Sequence, residues 1–209
     1  MGFDKLAALL DGKPVLSRTL DAFLACDSIT EIIVVCPPER FLLLPETAFT
    51  KPVRRVDGGA ARHLSVANGL AAVSPDAELI AIHDAARPLV SQADILATIA
   101  AAKEHGAASL ARRVTETLKR SDENGFTTAA VPRENLWFME TPQIFSADLI
   151  RAAYAHILEN NIEVTDETSA LEAYGKKVKL VPSTSPNPKI TSPADLDAIN
   201  LSLPLITDH

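Results

Sequence analysis

The chain has 209 residues, of which 47% are hydrophobic, and a formal net charge of −7. This size and composition suffice for a well-developed core, so we expect residues 1–209 to form a single domain. The negative charge argues against nucleic acid and an anionic membrane as partners. No apolar run approaches the ~18 residues that span a membrane, and no signal peptide is recognisable, so we expect a cytoplasmic protein.

The two cysteines, Cys26 and Cys36, fall at the ends of a predicted helix and a predicted buried strand. Both positions favour free thiols in or near the core over a disulfide or a metal-binding pair. This cysteine usage fits a reducing compartment.

Helices and strands alternate through the first half of the chain. Pro14 opens a helical pattern whose apolar face comprises Leu16, Leu20, Phe23 and Leu24. The β-branched run 31–36, stopped by two prolines, predicts a buried strand. Further strands are predicted at 53–56, 79–82 and 107–110. Helices are predicted over 62–72 and from the N-cap Ser91 to about His105, where Gly106 ends the pattern.

A polar hairpin interrupts the second half of the chain. Residues 113–120 alternate, 121–125 form a turn with an Asn-Gly pair, and 126–132 return. Such a hairpin has no core of its own, so we expect it to lean on a second subunit, with a solvated hairpin as the alternative. The remaining pattern predicts helices at 147–159 and 166–174, a strand at 177–181 and a last helix capped by Ser192. The alternation predicts an α/β fold with a mostly parallel sheet.

Charged residues follow two of the predicted strands. Strand 79–82 runs into the sequence His-Asp-Ala-Ala-Arg-Pro at 83–88, and strand 53–56 runs into Asp-Gly-Gly-Ala-Ala-Arg at 57–62. In an open parallel sheet the carboxyl ends of the strands are where ligands bind. One segment supplies backbone N–H groups and an arginine, and the other supplies a carboxylate and an arginine. Together they predict a site for a phosphorylated ligand with a metal ion.

The glycine pair Gly58-Gly59 opens the helix at 62–72. Glycine lets backbone approach a ligand closely, and a helix N-terminus favours anions, with Ser65 as a further hydrogen-bond donor. An ordinary turn with Ser65 as a local cap is the alternative.

The side chains of the second segment also have two interpretations each. Asp84 suits Mg²⁺ or a sugar hydroxyl, but it could equally cap a helix or pair with Arg87. Arg87 has the planar fork that binds phosphate, whereas His83 is expected to face the core. Near the end of the chain, Lys189 could lie over a ligand phosphate or be solvated.

Taken in order, the motifs of the chain resemble one enzyme family. Seven segments carry the resemblance: Lys5 with 12–16, 57–70, 83–88, 116–120, 133–145, 165–172 and 189–196. The chain resembles the 2-C-methyl-D-erythritol 4-phosphate cytidylyltransferases of the non-mevalonate isoprenoid pathway. The resemblance covers nearly the whole chain, and seven motifs in this order are specific although none is decisive alone.

The resemblance implies a Rossmann-like nucleotidyltransferase with a mostly parallel sheet flanked by helices. The hairpin, at about 112–133, would be a protruding dimerisation arm of a homodimer. The substrates would be CTP and methylerythritol 4-phosphate, the products CDP-methylerythritol and pyrophosphate, and the cofactor Mg²⁺ or another divalent cation.

The resemblance also assigns roles to individual residues. Lys5 and Lys189 would be catalytic. The nucleotide would be bound by Gly58, Gly59, Ala60, Arg62, Ser65, Asp84 and Ala85, with backbone alone at Ala60, where relatives often carry an acidic residue. The second substrate would be bound by Asp84, Arg87, Thr117, Arg133 and Thr165, with Thr117 and Arg133 supplied by the partner's arm. Asp84 is also the candidate metal ligand.

The start of the chain departs from the family pattern. Family members begin with a strand and a glycine-rich loop that cradles the triphosphate, and only Met1-Gly2 leading to Lys5 resembles its end. We therefore expect the sequence to be incomplete there. Loss of a central strand would expose two sheet edges.

Three other functions remain to be weighed. A ribitol-5-phosphate cytidylyltransferase would perform the same chemistry, but Ala86 favours the methylerythritol enzyme because the ribitol relatives tend to carry Val there. A catalytically impaired nucleotide-binding homologue would need neither Lys5 nor Lys189. A dinucleotide-dependent dehydrogenase is disfavoured because no G-x-G-x-x-G follows a strand.

Overall fold

A computed structural model describes residues 3–45 and 49–207. The strands are β1 (Leu9–Leu10), β2 (Lys13–Pro14), β3 (Ile32–Val35), β4 (Val53–Val56), β5 (Leu79–Ile82), β6 (Ala107–Arg113), β7 (Leu118–Ser121), β8 (Thr127–Val131), β9 (Trp137–Ser146) and β10 (Lys179–Pro182). The helices are α1 (Val15–Leu24), α2 (Pro38–Phe41), α3 (Arg62–Ala72), α4 (Gln92–His105), α5 (Ala147–Glu159), α6 (Glu167–Ala173) and α7 (Pro193–Thr207).

The central sheet has four strands in the order β10-β6-β9-β5. Strand β10 runs parallel to β6, whereas β9 runs antiparallel to both of its neighbours. A separate parallel pair, β3-β4, continues the strand layer beyond β5 without bonding to it in the described ranges. The α/β fold expected from the sequence is confirmed, and the antiparallel β9 makes its sheet mixed.

Helices cover both faces of the central sheet. Neighbouring residues of β9 show the division, because Phe145 packs with α3, α5 and α6 whereas Ile144 packs with α1 and α4. Side chains of successive strand residues point to opposite faces, so one buried strand serves two cores. Phe145 and Ile144 are 0% and 1% exposed, which makes β9 the centre of the hydrophobic core.

Several local signals act as the sequence predicts. Ser91 caps α4 by accepting a hydrogen bond from the Asp94 N–H, and Gly106 ends the helix with φ of 80°. The Asn-Gly turn gives β7-β8, where Gly125 has φ of 85°. Cys26 and Cys36 are free and buried, as expected.

The segment 113–120 is not one strand. β6 continues to Arg113 and β7 begins only at Leu118, because residues as far as Arg113 still pair with β9. No sequence pattern predicts β9, since Glu140, Thr141 and Gln143 are polar and Pro142 lacks the N–H of a strand residue.

An apolar gap of about 390 Å³ separates β3 from β5, and helices α1 and α3 cover it. The Ile32 and Cys36 N–H groups bond to β4, so by alternation Ile33 and Val35 direct theirs into the gap. The Ala147 N–H bonds to the Glu78 carbonyl, so by the antiparallel alternation Leu79 and Ala81 face it from β5. Two strand edges therefore face each other across this gap.

None of the helices in the described part of the chain has the length and apolarity to cross a membrane.

Candidate active site

Asp84, directly after β5, is surrounded by three cationic side chains. Its carboxylate lies 2.8 Å from Lys189 Nζ, 3.5 Å from Arg62 Nη2 and 3.8 Å from Arg87 Nε. Burial alone would raise the pKa of Asp84, but the hydrogen bond and charge of Lys189 and the charges of both arginines hold it below the ordinary value. Asp84 is therefore an anion at neutral pH, and the cations around it outnumber it.

Backbone and side-chain bonds fix the segment that carries Asp84. The Asp84 N–H donates to Thr141 Oγ1 at 3.1 Å, and the Thr19 hydroxyl donates to the Ala85 carbonyl at 2.7 Å. The Thr141 hydroxyl, used as an acceptor by Asp84, donates in turn to His83 Nδ1 at 3.0 Å. The segment is thus tied to α1 on one side and to β9 on the other.

His83 faces the core, as expected, and packs its ring 4.8 Å from that of Phe23. Its Nε2 donates to the Arg87 carbonyl at 3.1 Å while Nδ1 accepts from Thr141. Burial lowers the pKa of His83 to about 4, so the ring is neutral at pH 7.

Arg87 joins the loops of the site. Its Nη1 donates to the Asn187 carbonyl at 2.6 Å and its Nη2 to the Met139 carbonyl at 3.3 Å. Its Nε is buried without a hydrogen-bond partner in the structure and lies 3.8 Å from the Asp84 carboxylate. The pKa of Arg87 is lowered by burial.

Lys189 is held between two anchored neighbours in the loop after β10. The buried Asn187 donates to the Thr141 carbonyl at 2.9 Å, and the Ile190 N–H donates to the Ala86 carbonyl at 2.9 Å. Ile190 is 0% exposed, whereas the Lys189 side chain keeps 37% of its surface accessible. The ammonium group therefore has a fixed base and an open face, which the sequence could not distinguish from a solvated lysine.

Arg62, one of the cations near Asp84, forms a second and closer ion pair with Glu167. Arg62 donates from both terminal nitrogens to Glu167, at 2.7 and 2.9 Å, and the Tyr154 hydroxyl donates to the same carboxylate at 3.0 Å. Burial works to lower the pKa of Arg62, but the bonds and charge of Glu167 outweigh it and raise that pKa. Burial and the Glu167 charge likewise raise the pKa of Tyr154.

The glycine turn before α3 is closely packed. A Cβ at Gly59 would lie 2.5 Å from the Leu64 Cβ, so no larger residue fits there without a shift. Ser65 Oγ accepts from the Gly59 N–H at 2.9 Å and donates to the Ala61 carbonyl at 3.1 Å. Ser65 therefore holds the turn together. The N-cap residue Ala61 has no side-chain acceptor, which leaves N–H groups of the first turn to a ligand.

Asp166 is the N-cap of α6. Its carboxylate accepts from the Ser169 N–H at 2.9 Å and from Gln143 Nε2 at 3.0 Å. Thr165 Oγ1 lies 3.4 Å from the Ser169 hydroxyl, which itself donates to the Asp166 carboxylate at 2.7 Å.

Contacts in the described ranges join four predicted residues, Arg62, Asp84, Arg87 and Lys189. None of them links this cluster to Lys5, Thr117 or Arg133. Lys5 lies in the turn before β1. Thr117 precedes β7, and Arg133 follows β8 and donates to the Thr115 carbonyl at the base of the arm.

No group of three or more His, Cys, Asp or Glu side chains in the described ranges could hold a metal ion. Asp84 is a single carboxylate, and Mg²⁺ is commonly held by one or two carboxylates together with substrate phosphates. The residues present therefore fit a Mg²⁺ ion that arrives with a polyphosphate.

Three supporting residues of the site were not predicted: Glu140, Gln143 and Asn187. All are buried polar residues, and Gln143 Oε1 accepts from the N–H groups of Glu167 and Thr168. In the sequence these three residues are polar side chains close to apolar ones. That pattern does not identify their partners, which come from distant parts of the chain.

A family model for 2-C-methyl-D-erythritol 4-phosphate cytidylyltransferase (IspD) matches residues 1–203. The chain belongs to this family. A relative of that name from Caldanaerobacter subterraneus subsp. tengcongensis is 40% identical over 205 residues, which is 96% of this chain and 90% of the relative. Another from Desulforamulus reducens is 39% identical over 192 residues, covering 90% and 82%.

Solved IspD structures agree with the fold. The chain superposes with a TM-score of 0.87 on the 4-diphosphocytidyl-2C-methyl-D-erythritol synthase from Anaerococcus prevotii, at 31% identity, covering 95% of this chain and 93% of that one. The Thermus thermophilus 2-C-methyl-D-erythritol 4-phosphate cytidylyltransferase gives 0.82 at 32% identity, covering 96% and 93%. These neighbours confirm the Rossmann-like nucleotidyltransferase fold.

Proposed function

We propose that this IspD-family chain transfers the cytidylyl group of CTP to 2-C-methyl-D-erythritol 4-phosphate, giving CDP-methylerythritol and pyrophosphate. Membership of the IspD family over residues 1–203 supports the substrates. The observation that carries the chemistry is Asp84 with Lys189, Arg62 and Arg87 within 4 Å. Three cations around one carboxylate suit two phosphorylated substrates that must approach each other.

The reaction is an in-line displacement at the α-phosphorus of CTP. An oxygen of the methylerythritol phosphate attacks, the new P–O bond forms, and the bond to pyrophosphate breaks. The attacking group is already an anion, so no general base is required. Lys189 stabilises the charge that builds on the α-phosphoryl oxygens and holds the reactants in line, and Lys5 supplies a second cation to the triphosphate.

The turn at Gly58-Gly59 and the start of α3 would bind the nucleotide. Free N–H groups there can donate to the base edge, and Gly59 keeps the backbone close to it. Ala60 would contribute backbone alone, and Ala85 and Asp84 would meet the ribose. The methylerythritol phosphate would be bound by Arg87 and Thr165 of one subunit and by Thr117 and Arg133 of its partner.

We expect a Mg²⁺ ion to bind with the triphosphate, and Asp84 is the residue that would hold it. A bound Mg²⁺ would offset phosphate charge and favour departure of pyrophosphate. Lys189 is within hydrogen-bond distance of Asp84. If the Asp84 carboxylate bound the Mg²⁺ ion instead, the ammonium group would be released and could contact a phosphate.

We further propose that the arm makes a homodimer. Strands β7 and β8 form a sheet of their own, seven of their nine residues are exposed, and Phe126 at the tip is 73% exposed. A two-stranded sheet without a core is marginal in water, so a partner surface would stabilise it.

A cytoplasmic location fits the two buried free thiols.

The product identifies the reaction. With CTP, Mg²⁺ and methylerythritol 4-phosphate, ³¹P NMR should show pyrophosphate together with a new diphosphodiester. CTP hydrolysis to CMP without a diphosphodiester would contradict a transferase.

A further inference from the structure

Glu167 is a buried carboxylate to which the reaction itself assigns no part. It is 0% exposed and takes three hydrogen bonds, two from Arg62 and one from Tyr154. A buried charge is unfavourable unless it is paired and fully hydrogen-bonded, and this one is both. It lies at the first position of α6, where its sequence suggests only a favourable charge near a helix N-terminus.

Arg62 lies between two carboxylates and is shared unequally. Both terminal nitrogens contact Glu167 within 2.9 Å, whereas the distance from Nη2 to Asp84 is 3.5 Å. The planar fork of arginine makes two parallel hydrogen bonds to the carboxylate that it binds in bidentate geometry, so the orientation of the Arg62 guanidinium follows Glu167. Glu167 therefore holds the guanidinium partly away from Asp84, and Asp84 keeps Lys189 as its nearest cation at 2.8 Å.

Glu167 is itself fixed by bonds that need no ligand. Its N–H donates to Gln143 Oε1 at 3.1 Å, and Gln143 Nε2 donates to Asp166, the cap of the same helix. Gln143 is 1% exposed in β9. Strand β9 thus holds the start of α6 through Gln143. This fixes the position of Glu167, and Glu167 in turn orients Arg62.

We propose that Glu167 is a positioning residue for nucleotide binding, acting through Arg62 at the N-terminal end of α3. This inference rests on the proposed function, because it takes CTP as the ligand of that turn. Without Glu167 the Arg62 fork would turn to Asp84 and compete with Lys189. Arg62 would then be misplaced for binding the nucleotide at the turn before α3.

The substitution Glu167→Gln should weaken CTP binding more than it slows turnover. We expect the Kd for CTP, from titration calorimetry, and the KM for CTP to rise about tenfold, and kcat to stay within about threefold. Glu172→Gln, the same change at an exposed position of α6, is the matched control and should alter neither constant.

A double-mutant cycle separates positioning from a general structural role. If Glu167 acts through Arg62, Glu167→Gln should change the Kd for CTP in the wild-type background but not in an Arg62→Gln background. Independent effects would multiply in the double variant. If Glu167→Gln alone does not fold, Glu167→Asp takes its place in the cycle, because it keeps the charge on a shorter side chain. It should raise the Kd for CTP less than tenfold in the wild-type background and leave it unchanged in the Arg62→Gln background.

Two results would overturn the inference: a Kd for CTP within twofold of wild type in folded Glu167→Gln, or equal fold-changes in both Arg62 backgrounds. Thermal unfolding establishes that each variant is folded. Failure of the wild-type chain to bind CTP would refute the proposed function instead, and this inference with it.

Discussion

At the scale of single residues, Asp84 is where the charges of the site meet. Its carboxylate organises Lys189, Arg62 and Arg87, and its own N–H is held by Thr141. Arg62 and Arg87 have other partners in Glu167 and in backbone carbonyls. Lys189 pairs with Asp84 and keeps part of its side chain exposed. It is therefore the cation best placed to contact a phosphate and stabilise the charge that develops there.

Replacement of Lys189 by alanine should slow turnover by a factor on the order of 10²–10³, because one cation at the developing charge is lost. Lys177→Ala, at an exposed lysine before β10, is the matched control and should behave as wild type. Steady-state pyrophosphate release measures both. Near-normal turnover of folded Lys189→Ala would remove Lys189 from the mechanism.

His83 should make stability depend on pH. Its pKa is lowered to about 4 in the folded chain and is near 6.5 when unfolded, so the unfolded state takes up the proton first as the pH falls. Its contribution is complete above pH 6.5 and is lost as the pH falls toward 4, by up to about 3 kcal/mol.

Urea unfolding of wild type and His83→Gln at pH 7.5, 6.5, 5.5 and 4.5 tests this. The free energy of unfolding of the wild type should fall more steeply through this range than that of the variant. Parallel slopes for the two proteins would show that His83 is not held neutral by burial.

At the scale of elements, the sequence predicts the helices and strands that local signals define and misses those that depend on tertiary contacts. Helix α4 was predictable with both ends, because Ser91 and Gly106 act on their own neighbours. Strand β9 was not, because its polar residues Thr141 and Gln143 are buried through contacts with Asp84, Asn187 and Glu167, which come from distant parts of the chain. For the same reason, only the family resemblance could join Lys189 to Asp84, and no local pattern distinguished Glu167 from an ordinary residue at a helix start.

The facing edges of β3 and β5 predict an alternating pattern of amide exchange. Ile33, Val35, Leu79 and Ala81 direct their N–H groups into the gap, whereas Val34 and Ile80 bond to β4 and β9. Hydrogen exchange followed by NMR should therefore be faster at the first four amides than at the other two. Equal protection of all six would mean that the two edges are paired in solution.

At the scale of the whole molecule, the arm is the part that the single chain leaves unsupported. Its strands contact each other, and most of their residues are exposed. A homodimer would give the arm a surface and bring Thr117 and Arg133 to the partner's site, which would explain why they do not meet Asp84 within one chain.

Mixing two inactive variants tests this arrangement. If Arg133 serves the partner's site, a hybrid dimer of Arg133→Ala and Lys189→Ala chains has one site with both residues intact. Random exchange of subunits should then restore about a quarter of wild-type activity. Each variant alone should stay nearly inactive. Absence of recovery after verified subunit exchange would place Arg133 in the site of its own subunit.

The central claim is that this chain transfers the cytidylyl group of CTP to methylerythritol 4-phosphate. Its most direct test is pyrophosphate release by the purified protein with CTP and Mg²⁺. Methylerythritol 4-phosphate and ribitol 5-phosphate would be supplied as acceptors in separate assays. We predict release with methylerythritol 4-phosphate and none above background with ribitol 5-phosphate. Release with ribitol 5-phosphate alone, or with neither acceptor, would contradict the assignment.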